Sequence, residues 1–109
     1  MRTFEVTFPN LNTQFYSKCI TALIVAPDKI SFSKGAMLFT HGWGGNRFQH
    51  QDKMDYTADK FDLICISTEY RQSGYDFDPI RGAGSYVPYD ASFYQVVDCL
   101  SALRYVLDM

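Results

Sequence analysis

Ala36-Met37-Leu38-Phe39 is a four-residue apolar run entered through Gly35 and left through Thr40-His41-Gly42-Trp43-Gly44-Gly45, where three of four consecutive positions are glycine. An apolar run this short, closed at both ends by glycine, fits a strand covered on both faces of a sheet and does not fit a helix. The glycines after it carry no Cβ atoms, so the backbone can turn its N–H groups toward a bound oxygen. Such donors stabilise an oxyanion. A chain with this feature is expected to be built around a sheet whose central strand opens, at its carboxyl end, into a bare backbone loop.

The remaining segments supply the rest of that sheet. Thr3 to Phe8 alternates apolar and polar residues and stops at Pro9-Asn10, the pattern of a half-buried strand ending in a turn. Cys19 to Ala26 places Ile20, Ala22, Ile24 and Ala26 on one face and Thr21, Leu23 and Val25 on the other, before Pro27-Asp28 breaks it. These two strands are expected to pair antiparallel. The third strand runs from Ala36 to Thr40. Arg47 to Phe61 carries Phe48, Met54, Ala58 and Phe61 among charged residues, with Asn46 placed to cap it, which predicts an amphipathic helix. His50, between Gln49 and Gln51, is expected to be an exposed helical histidine without a role. Asp62 to Arg71 is strongly β-prone and is closed by Gln72-Ser73-Gly74, so strand, helix and strand form a right-handed parallel crossover.

Tyr75 to Tyr89 is rich in Gly, Pro, Asp and Tyr and is expected to be a long irregular loop. Asp76 and Asp78 are close in sequence, but no further carboxylate or histidine stands at ligand spacing, so they suit a turn better than a metal site. Asp90 then caps a helix in which Phe93, Val96, Val97, Leu100, Leu103 and Leu107 recur at three- and four-residue steps and predict the buried face.

Composition narrows the function. The 109 residues are 47% apolar and 17% aromatic, enough for one packed domain spanning 1–109. Twelve acidic and ten basic residues are interspersed, giving a formal charge of −2 and no basic stripe for nucleic acid. No apolar run approaches the roughly 18 residues that span a bilayer, and no signal peptide follows Met1, so no membrane contact and a cytosolic location are expected. Cys19, Cys65 and Cys99 form an odd, widely spaced set with no metal-ligand pattern, and they read as reduced core residues. Neither a metal nor a cofactor is called for.

The His41-Gly42-Trp43-Gly44-Gly45 loop after a strand resembles the oxyanion loop of the α/β-hydrolase superfamily, in its broader His-Gly-x-Gly form. Glu69-Tyr70-Arg71-x-Ser73-Gly74 is similar to the acidic, aromatic and Arg residues that close the next strand in that family, although turn chemistry accounts for it equally well. The order of elements is similar to that of the prolyl-oligopeptidase and acetyl-esterase side. The resemblance implies a partial α/β-hydrolase fold: a mixed sheet of about four strands, the first two antiparallel and then parallel, with two main helices. It also implies that the backbone N–H of Trp43, or of Gly44, donates to the tetrahedral oxyanion, while His41, Gly42 and Gly45 shape the loop. In the family the long loop can line a substrate pocket, which makes Tyr75, Phe77, Arg81 and Tyr86 candidate contacts; packing of the loop onto the sheet is the favoured alternative.

In that family the last helix leads to the strand bearing Gly-x-Ser-x-Gly, with the acid and the His later still. None of the three occurs before Met109: Gly82-Ala83-Gly84-Ser85-Tyr86 lacks the second Gly and the preceding strand, and Ser67 and Ser73 carry no motif. The expectation is therefore the amino-terminal part of a serine hydrolase acting on a small-molecule ester or peptide substrate, inactive alone. A non-catalytic binding module is the alternative, self-associating through the sheet edge left where the nucleophile strand would pair. A nucleotide-binding α/β domain is the third possibility, disfavoured because the loop matches neither phosphate-binding glycine motif.

Overall fold

A computed structural model of the chain describes residues 1–9, 19–29, 34–42, 45–70, 73 and 93–108. Within them lie four strands and two helices: β1 (Arg2–Phe8), β2 (Ile20–Ala26), β3 (Ala36–Phe39), α1 (Gln51–Phe61), β4 (Ile64–Glu69) and α2 (Phe93–Leu107). The strands form one mixed sheet in the order β1-β2-β4-β3. β1 pairs antiparallel with β2, setting Phe4 opposite Ile24, and β2 pairs antiparallel with β4, setting Ile24 opposite Ile66. β3 lies parallel to β4, with Leu38 beside Ile66 and Phe39 beside Ser67. The architecture is α/β.

The alternation in β2 divides the core in two, because successive side chains of a strand leave opposite faces of the sheet. Ile20, Ala22, Ile24 and Ala26 pack with Phe8, Ile64 and Ile66 and are covered by Ala102 and Val106 of α2. Leu23 and Val25 point the other way and pack with Cys65 beneath Met54 and Ala58 of α1. The two helices therefore cover opposite faces of one sheet, and both layers depend on β2 and β4.

Several boundaries differ from the sequence expectation. The helix expected over 47–61 begins at Gln51, after hydrogen-bonded turns over 47–50. Asn46 caps one of those turns through its Oδ1, which accepts the Phe48 N–H at 2.8 Å, and His50 stands at the helix N-cap. Phe48 and Phe61, expected inside, are exposed. Asp62, expected to open the fourth strand, ends α1 in the left-handed conformation (φ 55°), its N–H donating to Ala58 O at 3.1 Å. The left-handed region is open to Asp because its short polar side chain can be satisfied locally, and Lys34 Nζ lies 3.4 Å from its carboxylate. Asp90 lies outside the described residues.

Two corrections concern the packing. β3, expected to be covered on both faces, has a single neighbour among the described residues, and Ala36, Met37 and Leu38 are exposed. Among the described side chains the buried face of α2 is Gln95, Asp98, Ala102 and Val106, with Leu103 packed against the same core as expected, whereas Val96 and Leu100 are 53% and 55% exposed and Leu107 is exposed as well. Small Ala102 lets the helix approach the broad aliphatic surface of β2 and β4, so close packing outweighs side-chain hydrophobicity in choosing the face. Gln95 and Asp98, buried by that choice, both have interaction partners. Cys19, expected in the core, is exposed, while Cys65 is buried and Cys99 half-buried.

Candidate functional site

The glycine loop begins where β3 ends, and the parallel pairing of β3 with β4 brings the carboxyl ends of both strands to one rim of the sheet. Residues that follow β4 therefore stand beside residues that follow β3. His41 is 4% exposed, and its imidazole stacks on the Tyr70 ring with centroids 4.0 Å apart and planes 14° from parallel. The Tyr70 hydroxyl donates to the His41 carbonyl oxygen at 2.5 Å, so ring and backbone of His41 are both held by one side chain.

The ring nitrogens fix the tautomer. Nδ1 lies 2.9 Å from the Gly42 carbonyl oxygen, which can only accept, so Nδ1 carries the proton. Nε2 faces the Ser73 oxygen at 3.3 Å, while the single Ser73 Oγ–H donates to the Tyr70 carbonyl oxygen. Burial holds the His41 pKa below its ordinary value of 6.5, against the opposing influence of the Gly42 hydrogen bond and the Glu69 charge; the His50 ring adds a small further lowering. Burial favours the neutral imidazole, in which Nε2 and the Ser73 oxygen meet without a proton between them.

A serine hydroxyl beside a histidine nitrogen invites comparison with a nucleophile and its base, but the surroundings fit another role. Ser73 is 2% exposed, its hydroxyl is turned to Tyr70, and the far side of the imidazole meets a backbone carbonyl where a catalytic pair has a carboxylate. The cluster is chemically a clamp on the loop. Sequence alone places Ser73 in the family-like strand end Glu69-Tyr70-Arg71-x-Ser73-Gly74 but gives it no role, because no nucleophile motif surrounds it. The one signal that could have found it is topological: Phe39 beside Ser67 in a parallel pair predicts that residues just beyond each strand meet.

The other side of the loop is held from the turn before α1. The Gly42 N–H donates to Gln49 Oε1 at 3.0 Å, and the Gly45 N–H donates to Gly42 O at 2.9 Å, bringing the chain back on itself. A Cβ on Gly45 would displace Gln49 Oε1 and crowd Gly42 O and His41 Nδ1, so this glycine leaves the room in which Gln49 reaches Gly42. His50, expected to be an exposed helical residue, is half-buried, and its Nε2–H donates to Thr40 O at 3.0 Å while its ring packs near Phe39.

The turn is itself tied to the sheet by Arg47. Its guanidinium meets Glu5 of β1 at 2.9 Å and Glu69 of β4 at 3.0 Å, its backbone N–H reaches Glu69, and it lies over the Phe48 ring. Burial acts to lower the Arg47 pKa, and the hydrogen bonds and charges of Glu5 and Glu69 more than offset it, so the net shift is upward. Glu69 and Tyr70, noted in the sequence as a family-like strand end, thus hold Arg47 and His41 respectively; Arg71 lies outside the described residues.

Of the expected site residues, the structure brings His41, Gly42 and Gly45 together at the rim and adds Gln49, Tyr70 and Ser73. Trp43 and Gly44, the expected oxyanion donors, lie outside the described residues, as do Tyr75, Phe77, Arg81 and Tyr86 and the Asp76/Asp78 pair. Among the described residues no group of three or more His, Cys, Asp or Glu is placed to hold a metal ion, and no helix is long and apolar enough to cross a membrane. Compared with family models, curated proteins and solved structures, the chain matches none.

Proposed function

We propose that this chain supplies the oxyanion-loop part of an α/β-hydrolase-type serine hydrolase, acting on an ester or peptide bond through a nucleophile outside residues 1–109. The observation that carries this is the amide accounting at the rim: Gly42 and Gly45 spend their N–H groups inside the loop, on Gln49 and on Gly42 itself. Those two glycines are therefore shape-giving; oxyanion donation by Trp43 or Gly44, which lie outside the described residues, is what the family resemblance implies. Preorganised donors of this kind are among the largest contributions to acyl-transfer catalysis, and removing one costs about a hundredfold or more in rate.

Among the described residues no strand pairs with the outer edge of β3, and in the resembling family the nucleophile strand pairs there, which also supports the proposal. The same edge favours a second possibility, a module that associates through it.

Two measurements test the first. The coding sequence after Met109, read in frame in its gene, is expected to contain Gly-x-Ser-x-Gly within a few tens of residues; its absence would overturn the proposal. The 109-residue chain itself is expected to hydrolyse nitrophenyl acetate at the background rate and to take no fluorophosphonate label at Ser73. Saturable turnover or a Ser73 adduct would place the nucleophile inside this chain and refute the assignment.

A further inference from the structure

Resting on that function, we infer that Gln49 is the positioning residue of the glycine loop: its side-chain carbonyl withdraws the Gly42 amide from any ligand and sits against Gly45, so that one side chain positions the two described ends of the loop. Three observations carry this. Gln49 Oε1 accepts the Gly42 N–H at 3.0 Å and also occupies the space a Gly45 side chain would need, so one oxygen touches both ends of the loop. Gln49 is exposed as a residue, yet this oxygen is turned toward the loop, bonded to Gly42 and next to Gly45. The position of Gln49 is in turn fixed, because its N–H donates to Asn46 O at 3.2 Å and the neighbouring Arg47 is pinned to Glu5 and Glu69.

The chemistry selects the residue type. The position needs an acceptor, which excludes Lys and Arg, and at a loop that receives developing negative charge it needs a neutral one. A glutamate would keep the hydrogen bond to Gly42 but add a like charge beside the oxyanion. Methionine would keep the length and lose the acceptor.

The test is amide hydrogen exchange on the ¹⁵N-labelled 109-residue chain, comparing wild type with Gln49→Glu, Gln49→Met and Gln49→Ala. The Gly42 amide is expected to exchange about threefold to tenfold faster in Gln49→Met and Gln49→Ala, as loss of one hydrogen bond of ordinary net strength implies. Gln49→Glu restores wild-type protection, and the Phe48 amide, held by Asn46, is unchanged throughout. Equal Gly42 exchange in wild type and Gln49→Met, or failure of Gln49→Glu to restore protection, would overturn the inference. Should Gln49→Ala unfold, the Met and Glu variants decide. Rescue at Gly42 without Gly-x-Ser-x-Gly in the downstream sequence would leave the positioning role standing and remove the hydrolase; the reverse result would do the opposite.

Discussion

At the level of single residues, the rim of the sheet is governed by what each polar atom can accept or donate. Gly45 shares its space with Gln49: Gly45→Ala is expected to turn the flexible Gln49 side chain away from Gly42 and cost about the 0.5–1.5 kcal/mol of one hydrogen bond, read as a lower urea midpoint with an unchanged slope. His41 couples the loop to pH. Its folded pKa is depressed by burial while the unfolded imidazole titrates near 6.5, so the unfolded chain binds the proton first. The stability contributed by neutral His41 is complete above about pH 6.5 and is lost as pH falls toward the folded value, with a slope of at most about 1.4 kcal/mol per pH unit. Urea titrations between pH 7 and pH 5 are expected to show this decline in the wild type and a flatter profile in His41→Gln.

At the level of elements, what could be read from the sequence depended on whether one strand or one helix contained the information. β2 announces both of its faces, since Ile20, Ala22, Ile24 and Ala26 alternate with Leu23 and Val25 and both sets find a core. The strand, helix and strand from β3 through α1 to β4 were legible for the same reason, and so was the glycine loop that follows β3. α2 was legible as a helix but not in its orientation. Its apolar periodicity points to Val96 and Leu100, and the buried face instead rests on Ala102 and Val106 joining the core of Ile64 and Ile66, a property of the partner surface. Ser73 and Gln49 were hidden likewise, because each acts only through a residue that folding brings to it. The orientation of α2 is directly testable: Val96→Lys and Leu100→Lys are expected to change stability by less than about 0.5 kcal/mol, as for ordinary surface positions. Ala102→Lys, which buries an unpaired charge against β4, is expected to abolish cooperative thermal unfolding.

At the level of the whole molecule, the two helices protect opposite faces of the sheet while β3 retains one strand neighbour among the described residues. Met37 is 43% exposed and Leu38 36%, and β3 carries neither a charge nor a proline. Natural edge strands usually carry such residues because an unguarded edge invites pairing with another chain. A concentration-dependent increase in mass by sedimentation velocity is therefore expected, and Leu38→Lys is expected to shift the distribution toward monomer; equal distributions for the two proteins would show that association does not use this strand.

The three thiols divide unequally between solvent and interior. Burial, reinforced by Asp55 beside Cys65 and by Asp98 beside Cys99, pushes both of those sulfurs up to about 11, whereas Cys19 stands exposed just ahead of β2. Since only the thiolate attacks an electrophile, the polypeptide offers a single chemically ready handle. A maleimide dye or spin label added at neutral pH would settle there, at the end of β2 that pairs with the carboxyl end of β4 and with β4 between it and β3.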